Sequence, residues 1–419
     1  MTTVIDRDAA TRTFLAHTEG HLATYLEGCV HCGLCAEACH FYVASRDPKH
    51  TPAYKLFPIA KAHRRNKFPL ALLGLAPRVT AADLQHWEEL LFDSCTMCGR
   101  CTMACPMGID IASIVGDARQ AWVAAGLGPA DLFAAADSSR DHGSPLGVTT
   151  EKLRERIDWI ADEHDVEIPL DRPKADVLLT LSSVETMKYP DSVASMAKLL
   201  NHAGVSWTLS SKGYEATNFG YLAGKADIAK VMVQRIVAAA EGIGAKTVII
   251  PECGHAFGVL RWSAPNMIGR RLPFEVLHIT EYLAQLKRAG KLHLTPLNEP
   301  ITYHDPCQIS RRGGATADAR YLLQDFATDF HEMAPTGTEN WCCGGGGGVQ
   351  AIGRAANLRY QVFKLKMEQV EKSGAKTMVS ACSNCRLTMD ESKAHWKWDG
   401  GLASLVELIA EHLVEKPAS

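Results

Sequence analysis

The chain has no long apolar run: nowhere do its 419 residues approach the roughly 18 unbroken apolar positions that a membrane-spanning helix requires. Its first residues, MTTVIDRDAATRTF, lack the apolar core of a secretory signal, so a cytoplasmic protein is expected. Strong charge is missing as well. With 47 acidic and 44 basic residues the formal net charge is −3, which argues against a nucleic-acid partner. No flavin or nicotinamide fingerprint is visible. The glycine run Gly344–Gly348 is not closed by the Lys and Ser or Thr that a phosphate-cradling loop uses. Apolar content of 47% and charged content of 22% are ordinary for a globular protein, and the length exceeds what one core usually serves, so two or three domains are expected.

What the chain does have is 14 cysteines, and 13 of them fall into three spaced sets. In a reducing compartment such clusters bind metal rather than form disulfides. Two sets, Cys29, Cys32, Cys35, Cys39 and Cys95, Cys98, Cys101, Cys105, are each written C-x2-C-x2-C-x3-C, the two-cluster ferredoxin spacing. One tight turn aims three thiolates at one cube and the fourth cysteine reaches the other cube. By that rule Cys29, Cys32, Cys35 and Cys105 hold one 4Fe-4S cluster, and Cys95, Cys98, Cys101 and Cys39 hold the second. Zinc, which favours two-plus-two ligand pairs, fits four evenly spaced cysteines poorly. The second run ends in Cys105-Pro106, whereas the first ends in Cys39-His40. Four thiolates already complete the cube, so His40 reads as a packing or hydrogen-bonding residue. The third set is Cys307, Cys342, Cys343, Cys382 and Cys385, and Cys253 is left over.

Patterning divides the rest. Residues 1–125 carry the two runs among helical stretches, including 81–92, where Leu84, Trp87, Leu90 and Leu91 recur at helical spacing. Residues 126–174 are polar, with Ser138, Ser139, Gly143, Ser144, Pro145 and Gly147 marking a loop, and are expected to be a linker. Beyond it, short apolar runs at 177–179, 248–250 and 378–379 alternate with helical patterns near 191–203, 226–240 and 351–372. That alternation predicts parallel sheets with crossover helices. The whole chain is thus expected to be an α+β multidomain protein, with a mainly helical cysteine-rich domain ahead of two α/β repeats at 175–295 and 296–419. The repeats are visible directly: Gly244-Ala-Lys-Thr-Val-Ile249 matches Gly374-Ala-Lys-Thr-Met-Val379. After these segments one copy reads Pro251-Glu-Cys-Gly-His255 and the other Ala381-Cys-Ser-Asn-Cys385. Upstream, Tyr214-Glu-Ala216 stands where the second copy has Trp341-Cys-Cys343. The first copy is degenerate in cysteine.

A lone cysteine, about 34 residues, Cys-Cys-Gly, about 38 residues and C-x2-C, as in Cys307, Cys342, Cys343-Gly344, Cys382 and Cys385, resembles the CCG domain of heterodisulfide reductase catalytic subunits. The resemblance implies a noncubane 4Fe-4S cluster held by those five cysteines. A two-cluster ferredoxin module ahead of two CCG repeats is similar to the HdrD-type subunit of heterodisulfide reductase, to the iron–sulfur subunit of glycolate oxidase, and to DsrK, the catalytic subunit of a sulfur-metabolism membrane complex. The degenerate copy, with Tyr-Glu-Ala-Thr-Asn-Phe-Gly at 214–220 and Glu-Cys-Gly-His-Ala at 252–256, looks most like DsrK. The first CCG set is missing, so a second noncubane cluster is not expected.

Chemistry follows from these residues. Soft sulfur substrates match iron–thiolate ligation, so the third set is expected to reduce or form a disulfide, trisulfide or persulfide with electrons carried by two cubane clusters. Adjacent Cys342 and Cys343 cannot easily serve one iron of a regular cube. Gly344 and Gly345 open the glycine run that lets the backbone pass close to a cluster and direct N–H groups at its sulfurs. His304 and His255, beside cysteines, are candidates for proton supply. The alternative function is an electron-relay subunit of a flavin-dependent glycolate- or lactate-type oxidase. Either requires a partner: a membrane cytochrome b-like or other redox subunit, together with a sulfur-carrier protein or a small disulfide as substrate. If that partner is integral, this chain lies on the inner face of the membrane. The basic run Lys61, His63, Arg64, Arg65, Lys67 and the apolar stretch Phe68–Leu75 are the surface expected to meet it.

Overall fold

The computed structural model describes residues 5–17, 21–67, 73, 75, 79–324 and 326–414. The chain forms two compact units, each drawn from three segments: 1–136, 219–226 and 344–365 in the first, and 137–218, 227–343 and 366–419 in the second. The border between Cys343 and Gly344 cuts the Cys-Cys-Gly motif itself.

The first unit is helical. Helix Ala81–Phe92 starts at a capping box in which Thr80 and Asp83 satisfy one another's backbone N–H groups, and it buries Leu84, Trp87, Leu90, Leu91 and Phe92, the stripe expected from spacing. Helix Ile111–Ala124 buries Ile111, Ile114, Val115, Ala118 and Trp122, and the Trp122 indole N–H donates to Leu84 O at 2.8 Å. On the same buried face lies Arg119, whose guanidinium donates to the carbonyls of Leu91, Cys95, Leu222 and Gly347. This one side chain ties the second cysteine run to two segments distant in sequence. Helix Pro52–Lys67 carries the basic run, which is not one solvated strip: Lys61 pairs with Asp83 at 3.1 Å and His63 is buried. Leu73 and Leu75 are exposed, while Phe68–Leu72 and Gly74 lie outside the described residues.

The second unit holds two parallel sheets. Strands β1 (Val177–Leu179), β2 (Trp207–Thr208), β3 (Thr247–Ile250) and β4 (Glu275–His278) are ordered β2-β1-β3-β4. Strands β5 (Ile301–His304), β6 (Thr377–Ser380) and β7 (Gly401–Ser404) are ordered β5-β6-β7. Every strand pair is parallel, as the strand–helix alternation predicts. The sheets share one apolar core, in which Val177 and Ile249 of the first sit with Ile301 and Val379 of the second. The stretch expected as a linker carries helices Ala130–His142 and Thr150–Glu163. The latter is capped by Thr149 and sends Leu153, Ile157 and Ile160 into that core, each worth roughly 1.5–3 kcal/mol of burial.

Candidate metal centres

Each ferredoxin-type run is shaped by two left-handed kinks at matching places. His31 (φ 54°) and Gly33 (φ 82°) flank Cys32, and Met97 (φ 53°) and Gly99 (φ 75°) flank Cys98. One-turn helices Leu34–Glu37 and Arg100–Met103 follow. A non-glycine residue at positive φ costs roughly 1–3 kcal/mol, so two such residues at equivalent positions point to a function for the turn. The result is two cavities. One is lined by Cys29, Cys32, Cys35 and Cys105, with Val30, Leu34, Pro106 and Met107 at its rim; the other is lined by Cys39, Cys95, Cys98 and Cys101. The fourth cysteine of each run therefore crosses to the other run's cavity.

The electrostatics of the two cavities suit a polynuclear cation. Burial pushes the Cys101 thiol well up, and Cys98, Cys39 and Cys95 push it further, because thiolates that close repel. Burial also raises Cys35 and Cys39, opposed at Cys39 by the Lys55 ammonium. Lys55 is itself buried and donates to Ser94 O. Cys101, hindered in this way by burial and by neighbouring sulfurs, is a donor whose ionisation the binding of an iron–sulfur cluster would relieve. His40 is buried beside the second cavity, with its ring 4.3 Å from that of Phe41 and Nε2 3.5 Å from Thr96 Oγ1.

The third set lies in the second unit, and all five cysteines are buried. Cys307 follows β5, and its Sγ is 3.7 Å from that of Cys342. Cys385 makes thiol hydrogen bonds with Cys343 and Cys382 and is pushed well above its ordinary pKa by them and by burial. Cys382 is lowered by its bond to Cys385 and by the Gly254 N–H. His304, the last residue of β5, has a ring nitrogen within 4.8 Å of the sulfurs of Cys343 and Cys385. Burial and the nearby Lys366 push its pKa well below the ordinary imidazole value. His255, in contrast, lies in helix Gly254–Gly258 and is half-buried. The glycine run has packing duties of its own. A Cβ on Gly347 (φ +64°) would sit 2.8 Å from the Thr96 carbonyl carbon, and one on Gly344 (φ +95°) 3.1 Å from Val362 Cγ1.

Around the third set are further buried groups: Glu252 and Glu215, which stand in sequence where the other copy has cysteines, and Glu185, Asn340 and Lys366, which carried no motif. Glu252 is fully buried and accepts from Ser404 Oγ at 2.8 Å and from Arg386 at 3.5 Å. Its carbonyl accepts the Ser383 N–H and hydroxyl, so the degenerate repeat braces the residue after Cys382. Glu185 accepts the Glu252 N–H at 3.0 Å, and Glu215 accepts from Ser183 N at 2.8 Å. Burial raises Glu185 to about 8 and both Glu215 and Glu252 to about 7. Asn340 and Lys366 lie on the other side of His304.

Comparison with known proteins matches these regions. Residues 25–109 fit a 4Fe-4S dicluster domain, and residues 301–390 fit a cysteine-rich CCG domain. The chain is 27% identical over 396 residues to the HdrD component of the dihydromethanophenazine:CoB–CoM heterodisulfide reductase of Methanosarcina barkeri, covering 93% of this chain and 94% of that one. It resembles HdrD. It is also 26% identical over 456 residues to an Hdr-like menaquinol oxidoreductase iron–sulfur subunit of Archaeoglobus profundus, covering 94% of this chain and 81% of the relative. An EtfAB:quinone oxidoreductase of Syntrophomonas wolfei is 28% identical over 400 residues, 87% of this chain and 54% of that longer protein. The HdrD-like arrangement of a dicluster module and a CCG domain makes this an iron–sulfur electron-transfer subunit of the oxidoreductase class. Among the described residues no helix is long and apolar enough to cross a membrane.

Proposed function

We propose that the chain is the sulfur-acting subunit of a redox complex. Cys29, Cys32, Cys35 and Cys105 hold one cubane cluster, and Cys95, Cys98, Cys101 and Cys39 hold the second. Cys307, Cys342, Cys343, Cys382 and Cys385 hold a noncubane cluster at which a disulfide, trisulfide or persulfide is reduced or formed. The bound clusters supply single-electron transfer and iron that accepts a sulfur ligand. Reducing a disulfide takes up two electrons and two protons and releases two thiols. The observation that carries this reading is the closeness of buried cysteines in the second unit, Cys307 to Cys342 and Cys385 to Cys343 and Cys382, with a His304 ring nitrogen within 4.8 Å of two of those sulfurs.

The protein groups have distinct tasks in that scheme. Burial of the five cysteines keeps water from the reacting sulfur. The Gly254 N–H and Cys385 stabilise Cys382 as thiolate. The first cavity is the one a partner protein could reach, since Cys32, Val30, Leu34 and Met107 are exposed there. The donor is a partner protein, a membrane cytochrome b-like or other redox subunit, and the archaeal relative named a menaquinol oxidoreductase subunit is in keeping with it. A flavoprotein-fed relay is the second reading, favoured by the relative named an EtfAB:quinone oxidoreductase. The test is anaerobic reconstitution followed by assays with reduced viologen against disulfides, trisulfides and a persulfidated carrier protein. Turnover lost in Cys343→Ala supports the proposal. Electron uptake from a flavoprotein with no activity on any sulfur compound overturns it in favour of the relay.

A further inference from the structure

Lys366 lies on helix Ala356–Ser373, yet its side chain is fully buried, and among the described residues no carboxylate pairs with it. Nζ donates to Asn340 Oδ1 and, at 2.8 Å, to Gln369 Oε1. The orientation of Gln369 is fixed separately, because its Nε2 donates to Pro335 O at 3.0 Å. Asn340 spends both amide hydrogens: Nδ2 is 3.2 Å from His304 Nδ1 and 3.2 Å from Asp305 O.

These contacts leave one consistent assignment. An amine donates to an amide oxygen whether or not it is charged, and an amide nitrogen has no lone pair to offer. Turning the Asn340 amide over would set its NH2 against Lys366 and its oxygen against Asp305 O, two repulsive contacts. Asn340 therefore donates to His304 Nδ1. That nitrogen is an acceptor, so in the neutral imidazole the proton sits on Nε2. Nε2 is buried and has no hydrogen-bond partner among the described residues, so with Nδ1 taken by Asn340 we assign to Nε2 the approach within 4.8 Å of the sulfurs of Cys343 and Cys385.

We propose that Lys366 and Asn340 are positioning residues that lock His304 in its Nε2–H tautomer, making it an N–H donor to the sulfurs of the third cysteine set and not an iron ligand. Iron ligation through Nε2 would need a lone pair there and a proton on Nδ1, which the Asn340 NH2 opposes. Hydrogen bonds to cluster sulfurs withdraw electron density and raise the reduction potential. Lys366 is thus a distant setting on the potential of the third cluster, acting through two side chains. This rests on the proposed cluster at the third set.

The test is electron–nuclear double resonance on the third cluster in its paramagnetic state, with 15N-histidine label and H2O/D2O exchange, alongside its midpoint potential. Expected is an exchangeable proton coupling without a directly bonded nitrogen coupling. That proton is lost in His304→Phe and also in Asn340→Asp, where a carboxylate accepting from Nδ1–H reverses the tautomer. The potential falls in His304→Phe. A strong nitrogen coupling that disappears in His304→Phe, or an exchangeable proton indifferent to that change, overturns the assignment. If Asn340→Asp does not assemble the cluster, wild type and His304→Phe decide between those outcomes. Failure of the cluster reading is separately visible as about eight irons per chain where about twelve are expected. In that case the tautomer is read from the 15N shifts of His304 in the oxidised protein, and an Nδ1–H form refutes the inference.

Discussion

Replacing Arg119 by Met should unlatch the first unit, and the size of the effect can be worked out from opposing terms. Burial lowers the guanidinium from an ordinary 12.5 to about 10, which at about 1.36 kcal/mol per unit is a penalty of about 3 kcal/mol for keeping the charge inside. Against this stand hydrogen bonds to the carbonyls of Leu91, Cys95, Leu222 and Gly347, each worth about 1.5–3 kcal/mol from a charged donor. The bonds win. Methionine refills most of the volume and recovers the desolvation penalty, but it strands four carbonyl oxygens at about 1–3 kcal/mol each. A net loss of about 4 kcal/mol is expected. Arg119→Lys, with one ammonium unable to span both pairs of carbonyls, should lose about half of that. Urea unfolding followed by tryptophan fluorescence reads the change, since Trp87 and Trp122 pack with ring centroids 6.5 Å apart in the same unit. A loss below about 1 kcal/mol in Arg119→Met would refute the reasoning, because the bonds would then be no better than the desolvation they offset.

Iron analysis of reconstituted wild type should approach about twelve atoms per chain, and Cys343→Ala about eight with the cubane signals intact; loss of all clusters together would mean the third set is structural. Gly347→Ala should cost about 3 kcal/mol, combining left-handed backbone strain with a 2.8 Å approach to the Thr96 carbonyl carbon. Gly33→Ala, at φ +82° in open space, should cost only about 1–2 kcal/mol, so equal effects in the two denaturation curves would discount the contact. The buried carboxyls give a pH dependence of definite sign. Glu185 at about 8 and Glu252 at about 7 hold protons in the folded state that the unfolded chain releases near 4.5, so stability should fall as pH rises from about 4.5 to about 8. Glu185→Gln should flatten that decline in urea midpoints measured from pH 5 to 8, and an unchanged slope would mean that Glu185 is ionised in the folded protein.

How much of this was legible in the sequence depended on the kind of signal. Local signals held. The Leu84–Leu91 stripe, the repeat at Gly244 and Gly374, and the strands at 177–179 and 248–250 all stand in the structure, because periodicity and turn chemistry act over a few residues. The helices Ala130–His142 and Thr150–Glu163 were hidden by polar composition, since only a narrow stripe of each faces the core. Sheet partners β2, β4 and β7 were too short, or too poor in β-branched residues, to announce themselves. The buried cations were also passed over, yet each stands at apolar-face spacing: Lys55 four before Ile59, Arg119 four after Val115 and Lys366 four after Val362, all among buried neighbours. A basic residue on the inner stripe of a helix beside a cysteine set is a signal worth reading, because burial of a charge is sustained only by acceptors or by an anionic group.

The alignment of the two repeats shows where sequence spacing alone misleads. Counted without gaps from Gly244 and Gly374, His255 falls opposite Cys385. The structure matches the repeats by backbone instead. Cys253 is the N-cap of helix Gly254–Gly258 at φ −137°, ψ 99°, and Cys382 is the N-cap of helix Ser383–Trp396 at φ −146°, ψ 109°. One residue must therefore be skipped between strand and helix, and Cys253 is the counterpart of Cys382, which sets Ala256 opposite Cys385. The two helix starts also exchange contacts, with the Gly254 N–H on Cys382 and the Ser383 N–H on Glu252 O. In that light the degenerate copy is more than a repeat that has lost its cysteines. It supplies the Gly254 N–H that lowers the Cys382 thiol, and the cost of burying Glu252 is met by Ser404, Val406 and Arg386 of the other repeat. Glu252→Ala should therefore act on the third cysteine set without touching a cysteine: iron per chain falls from about twelve toward about eight, while Glu252→Gln, which keeps the bond from Ser404, retains most of it. Full iron in Glu252→Ala would show that the working repeat holds its site without the degenerate one.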